Sequence, residues 1–161
     1  MEFKFIVDNN VGKLAKWLRM MGYDTLFFRG EDDGEMVKIA LSQDRVILTK
    51  DTQIMRRRLI TSGRVKSILI EDEDTKKQLQ QIVGALDLDY QYMPFSLCLE
   101  CNQNLVEISK DEVRDLVPPY VFKTQNEYME CPSCHRIYWR GTHWQAMSEQ
   151  LGKLVVGKLD K

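Results

Sequence analysis

The chain has 161 residues, of which 43% are hydrophobic and 29% charged. That size and composition suit one ordinary domain, or a small domain plus a stapled module, and exclude wholesale disorder and a fibrous repeat. Lys+Arg number 23 against 24 Asp+Glu, a formal net charge of −1, so any case for nucleic acid rests on local clusters and not on bulk charge. No apolar run approaches the roughly 18 residues of a membrane span. The opening Met1-Glu2-Phe3-Lys4-Phe5-Ile6-Val7 is too short and too charged for a signal peptide. A soluble, cytoplasmic protein with no membrane partner is the expectation.

Phe3 to Val7 reads as a short strand ending at Asp8. Asn9 or Asn10 then caps a helix from about Val11 to Met21, with Leu14, Ala15, Trp17, Leu18 and Met21 on its apolar face and Lys13, Lys16 and Arg19 on the other. Gly22 stops it. Asp24 to Phe28 is a second strand, and Asp32-Asp33-Gly34-Glu35 opens a second helix. Val46 to Thr49 is continuous and β-prone, as in a strand covered on both faces. Asp51 follows, with a helix to about Ile60; Ser67 to Ile70 is a fourth strand, and Thr75 to Leu86 a helix with Leu79, Ile82, Val83 and Leu86 on one face. Four strand–helix alternations predict a parallel sheet with crossover helices over residues 1–90. Asp87 to Pro94 has no period and reads as a linker. In a second unit, 95–147, Tyr120-Val121-Phe122 and Arg136 to Trp139 read as short strands on either side of the break made by Pro118-Pro119. A helix over Gln145 to Val156 falls mainly in a tail, 148–161.

All four cysteines lie in two C-x-x-C pairs, Cys98/Cys101 and Cys131/Cys134, separated by residues 102–130. Each such turn places two thiolates on one edge of a tetrahedron, and two turns brought together close a zinc site. A disulfide framework belongs to secreted chains, and a redox dithiol would not come twice. Four Cys fill the site, so one structural Zn²⁺ in a small zinc ribbon is expected, supplying much of that segment's folding energy.

The carboxylates share a different address. Asp8, Asp51 and Glu71/Asp72 each follow a strand, and in a parallel sheet those ends point to one edge, where ligands gather. Acids crowded there repel one another unless a hard divalent cation is present, for which Mg²⁺ or Mn²⁺ is suited. Capping competes as an explanation: Asp51 precedes a helix, Asp32 with Glu35 fits a capping box, and Glu71 to Asp74 fits a solvated run. Spacing alone reaches an acidic metal site on an α/β domain, a pattern that also fits a phosphoaspartate receiver or a phosphatase-like fold.

The segments Asp8 to Asp24, Arg45 to Asp51, Cys98-Leu99-Glu100-Cys101-Asn102, Cys131-Pro132-Ser133-Cys134 and Tyr138-Trp139-Arg140-Gly141-Thr142-His143-Trp144 together resemble the Mut7-C ribonuclease domain family over about residues 3 to 147. The resemblance implies a PIN-like nuclease domain fused to a zinc ribbon, with Mg²⁺- or Mn²⁺-dependent cleavage of RNA. By position it implies catalytic and metal-binding roles, for one or two ions, at Asp8, Asp33, Glu35 and Asp51; Asp72 is a further candidate ligand from the strand-end pattern alone. Thr49-Lys50-Asp51 matches a PIN-type Thr-x-Asp. Where PIN domains often carry another acid, two positions on, this chain has Gln53.

Candidates for contact with RNA, expected to be single-stranded, are the stripe Lys13, Lys16 and Arg19, the cluster Arg56, Arg57 and Arg58, and the ribbon side chains Tyr138, His143 and Trp144, suited to stacking unpaired bases. The competing expectation is a non-catalytic RNA- or ribosome-associated adaptor built on a degenerate nuclease domain.

Overall fold

A computed structural model describes residues 2–159, with side chains described to residue 154. Strands β1 (Phe5–Val7), β2 (Thr25–Phe27), β3 (Val46–Thr49) and β4 (Ser67–Leu69) form a parallel sheet in the order β2-β1-β3-β4. Their side chains alternate as the pleat requires. Phe5, Val7, Val46 and Leu48 join a core with α1 (Leu14–Met21) and α5 (Thr75–Leu86), while Ile6 and Ile47 pack on the other face with α2 (Asp33–Gln43), α3 (Thr52–Met55) and α4 (Arg58–Thr61). Helices on both faces explain why β3 has no polar side: it is buried throughout.

Several boundaries differ from the periodicity. The first helix begins with a 3-10 turn at Asn9–Val11 before α1 proper, and the stretch after Asp51 is two one-turn helices, divided where Arg57 is extended. At the end of α1, Gly22 adopts φ 99° and a Cβ there would collide with the Met93 backbone. Met93 belongs to the expected linker, which is instead a packed strap. Leu88 is buried, the Tyr92 ring stacks on Tyr23 at 4.9 Å, the Tyr23 hydroxyl donates to the Asp89 carbonyl at 3.1 Å, and Met93 N–H donates to the Met21 carbonyl at 3.0 Å.

A second, antiparallel sheet is built from β5 (Val106–Ile108), β6 (Tyr128–Glu130) and β7 (Ile137–Tyr138). Tyr120 to Phe122, expected as a strand, lies in helix α6 (Pro119–Thr124). The two prolines account for the change: Pro118 is extended at φ −59°, ψ 147°, and Pro119 occupies the first helical turn, where its fixed φ suits a helix and its missing N–H is not needed. The last helix, α7 (Thr142–Leu159), starts earlier than expected and packs against α5, placing Met147 and Leu151 in the first core.

The two sheets are joined through buried polar side chains. Arg19 is only 7% exposed; its Nε donates to the Thr25 carbonyl at 3.0 Å and its Nη1 to the Leu99 carbonyl at 2.8 Å. Asn102 accepts from Thr25 N–H at 2.9 Å and donates to Asp24 at 2.6 Å, and Asp24 in turn pairs with buried Arg45 at 2.9 Å. Burial pushes the Asp24 carboxyl up, but the hydrogen bonds from Arg45 and Asn102 outweigh it and hold the group below its ordinary value. Replacing Arg19 by Met leaves two buried carbonyls without their charged donor. The variant is expected to lose ~2–3 kcal/mol of stability, read as a lower urea midpoint at unchanged m-value.

Candidate functional site

The order β2-β1-β3-β4 carries the chain from β1 to one side and from β3 to the other, so the β1/β3 boundary is the switch point where a parallel sheet opens a crevice at its carboxyl edge. Asp8 stands there at the end of β1, 7% exposed. One of its oxygens accepts from Asn9 N–H at 2.8 Å, and the other from the Thr49 hydroxyl at 2.8 Å. The Thr49 oxygen itself accepts from Asp51 N–H at 3.0 Å, so one hydroxyl fixes both loops. Lys50 N–H donating to the Asn10 side chain at 3.2 Å ties them again.

Asp51 does cap the helix behind it, accepting from Gln53 N–H at 2.8 Å, and Asp32 caps α2 by accepting from Gly34 N–H at 2.9 Å. Capping therefore leaves Asp33, in the first turn of α2, unused. Its carboxyl is pushed above the ordinary range by burial first, then by the negative charges of Asp51 and Asp8, with Arg57 opposing. Asp8, Asp33 and Asp51 thus share one electrostatic field from three separate elements. They are not as tightly gathered as the cysteines: among the described residues, the four cysteines form the one group of three or more metal-capable side chains within 4.8 Å of one another. Glu35 is exposed, also in the first turn of α2. Asp72 accepts from Asp74 N–H at 2.9 Å, and neighbouring Glu73 pairs with Lys50.

The cysteine centre consists of two matching turns. In the first, Cys101 N–H points to Cys98 Sγ at 3.4 Å, Asn102 N–H donates to the Cys98 carbonyl at 2.9 Å, and Cys98 N–H donates to the Gln103 carbonyl at 2.8 Å. In the second, Cys134 N–H points to Cys131 Sγ at 3.4 Å, His135 N–H donates to the Cys131 carbonyl at 2.8 Å, and Cys131 N–H donates to the Arg136 carbonyl at 3.0 Å. Asn102 and His135 both take left-handed backbone at φ 63° and 65°, a conformation Asn and His tolerate better than most residues. Hydrogen bonding from the Arg136 N–H pushes the Cys134 thiol down to about 6, and a hydrogen bond with Cys134 pushes Cys101 up to about 12. Four sulfurs within 4.8 Å of one another, with backbone N–H groups aimed at two of them, suit a tetrahedral metal such as zinc.

The family model of the Mut7-C RNAse domain matches residues 3–151. The chain belongs to that family. No curated protein and no solved structure matches it. Membership in the Mut7-C RNAse domain family points to a ribonuclease-type function with RNA as substrate. No helix among the described residues is long and apolar enough to cross a membrane.

The structure separates the remaining candidates of this Mut7-C chain. Lys13 and Lys16 are exposed, whereas Arg19 is not on their stripe but inside the junction described above. Arg56, Arg57 and Arg58 are exposed, and the Arg57 guanidinium lies against Gly34 at the start of α2. Tyr138 turns its hydroxyl inward, to Cys98 Sγ at 3.1 Å and to Leu99 N–H at 3.1 Å, and supports the cysteine centre. Trp144 is half-buried with an edge contact to Phe95 at 5.0 Å; His143 is exposed. Sequence reasoning missed the bridging roles of Thr49 and Asn102, although each stands at a fixed place in a motif it did single out. If Asp33 senses Asp8 and Asp51, replacing either by Asn removes a like charge. The Asp33 pKa is then expected to fall toward its ordinary value in a carboxyl-carbon NMR titration, and an unmoved titration would separate the three acids.

Proposed function

We propose that the chain is a metal-dependent ribonuclease with a PIN-like nuclease half, an acidic centre at the carboxyl edge of the parallel sheet, and one structural Zn²⁺ on Cys98, Cys101, Cys131 and Cys134. The observation that carries the reading is the tie made by the Thr49 hydroxyl between Asp8 and the Asp51 backbone at the switch point, beside Asp33, whose carboxyl is raised by burial and then by the negative charges of Asp51 and Asp8, in a chain of a ribonuclease family. Such mutual repulsion is relieved by a divalent cation, and the all-oxygen donor set suits Mg²⁺ or Mn²⁺. Asp8, Asp33 and Asp51 would hold it, with Glu35 the outlying candidate and Asp72 occupied by its own turn. The bound ion supplies charge neutralisation at a phosphodiester and lowers the pKa of water.

This chain's residues do the rest. Thr49 holds Asp8 in one orientation and links it to the Asp51 backbone, so the acids are positioned before substrate arrives. Arg57, beside the first turn of α2, offers positive charge to a phosphate drawn toward the acids. Hydrolysis breaks the P–O3′ bond and leaves a 3′-hydroxyl and a 5′-phosphate. Gln53, with a neutral amide, adds no charge for a second ion, which would bind weakly or only with RNA present.

Asp8→Asn and Asp51→Asn are each expected to slow Mn²⁺-supported RNA cleavage by roughly 10²-fold or more, the scale of losing one preorganised electrostatic group, with circular dichroism unchanged. Unaltered turnover in both removes the nuclease reading, and RNA retention without shortened products in the wild type returns the adaptor reading. Separately, Co²⁺ in place of zinc is expected to give thiolate-to-metal absorption that Cys131→Ser weakens while Asp8→Asn leaves it intact.

A further inference from the structure

Two clefts meet along the junction between the sheets. One, of about 550 Å³, lies between α6, β7 and the start of α7 and includes Tyr120, Trp139, His143 and Trp144. The other, of about 360 Å³, runs beside α1 and includes Gly12, Phe27 and Arg29. Both are bounded by Lys16, Leu99 and Glu100, so they adjoin across a shared rim as the two ends of one grooved surface.

Its two ends differ in chemistry. The wide end is aromatic, and Tyr120 is 76% exposed, so its ring face is open to a flat ligand. The narrow end reaches the carboxyl edge of the parallel sheet: Phe27 pairs in register with Val7, and Gly12 follows the 3-10 turn that Asp8 caps. Along it, Lys16 is exposed, and the Arg29 guanidinium lies 5.2 Å from the centre of the Phe27 ring. The groove's side chains include four cations, Lys16, Arg19, Arg29 and Arg136, and one acid, Glu100. A chain of net charge −1 thus concentrates positive charge beside an aromatic surface. That pairing fits an anionic polymer with exposed flat bases better than a peptide or an apolar ligand.

We infer that this groove binds single-stranded RNA, with unpaired bases stacked at the Tyr120 end and the backbone passing Lys16 and Arg29 toward the acidic edge. The inference rests on the ribonuclease reading for its direction and for the class of ligand. A duplex buries its base faces in its own stack and cannot use the aromatic end, so the groove selects unpaired strands. Arg19 and Arg136 contribute field but not contact, since each already serves the junction or the cysteine centre.

The test is fluorescence anisotropy with labelled oligoadenylate, without added divalent ion, across a salt series, alongside Mn²⁺-supported cleavage. Tyr120→Ala is expected to weaken binding about tenfold with an unchanged salt slope, and Tyr120→Phe to restore it. Lys16→Ala is expected to flatten the log–log salt slope by about 0.7, whereas Lys77→Ala, exposed on α5 and outside both clefts, changes neither. If both groove variants bind and cut as the wild type does, the groove is overturned and the ribonuclease reading stands. Equal competition by a duplex of the same length overturns the groove too. The expected binding changes in a protein that never shortens RNA support the groove and remove the enzyme.

Discussion

The arrangement of this molecule depends on one buried cation. Arg19 has left water to donate to carbonyls at both sides of a junction, Thr25 on the edge strand and Leu99 inside the first cysteine turn. A guanidinium so placed must find its partners or cost several kcal/mol, so it fixes the turn against the sheet in one position. Burial lowers its pKa, while the negative field of Cys98, Glu100 and Cys101 opposes that. Asn102 and Asp24 extend the same link to Arg45.

The α/β half was legible because its elements are long in pattern even where short in length. β3 and α5 fall where periodicity puts them, since an apolar run between turn signals and a 3.6-residue stripe each have one stable solution here. The cysteine-bearing part was less legible. Tyr120 to Phe122 is β-prone by composition, yet Pro119 in the first turn decides for helix. Arg19 illustrates the same limit at a site. On a helical wheel it continues the stripe of Lys13 and Lys16, and only the position of a carbonyl eighty residues away shows that it faces inward. The strap of residues 87–94 read as linker because its contacts are to distant aromatic and backbone groups, which no local period reveals.

Thr49 shows how the acidic edge is kept in order. A hydroxyl has one proton to give and lone pairs to receive; here the proton goes to Asp8 and a lone pair takes the Asp51 N–H. A valine of the same shape would preserve the strand and lose both bonds. The two loops that follow β1 and β3 are therefore positioned relative to each other by chemistry and not by packing alone. Asp33 arrives from a third element, α2, whose capping is already done by Asp32. An acid in the first turn of a helix suits the helix dipole, but burial and the nearby charges of Asp51 and Asp8 raise its pKa, an arrangement that a bound cation would relieve.

Charge distribution resolves an apparent conflict. A nearly neutral chain is an unpromising RNA binder, and an edge of carboxylates repels phosphate outright. Attraction must then come from cations that flank the acids without neutralising them in advance. Arg57 stands beside the first turn of α2, and Lys16 and Arg29 line the cleft beside α1. Arg56 and Arg58 add to the first group. A strand drawn between them would be held by its backbone at two places and pass the acids between, where only a divalent ion makes its presence tolerable. On that logic the low net charge is a consequence of placing opposite charges side by side, and it leaves stacking at Tyr120 to supply what electrostatics alone does not.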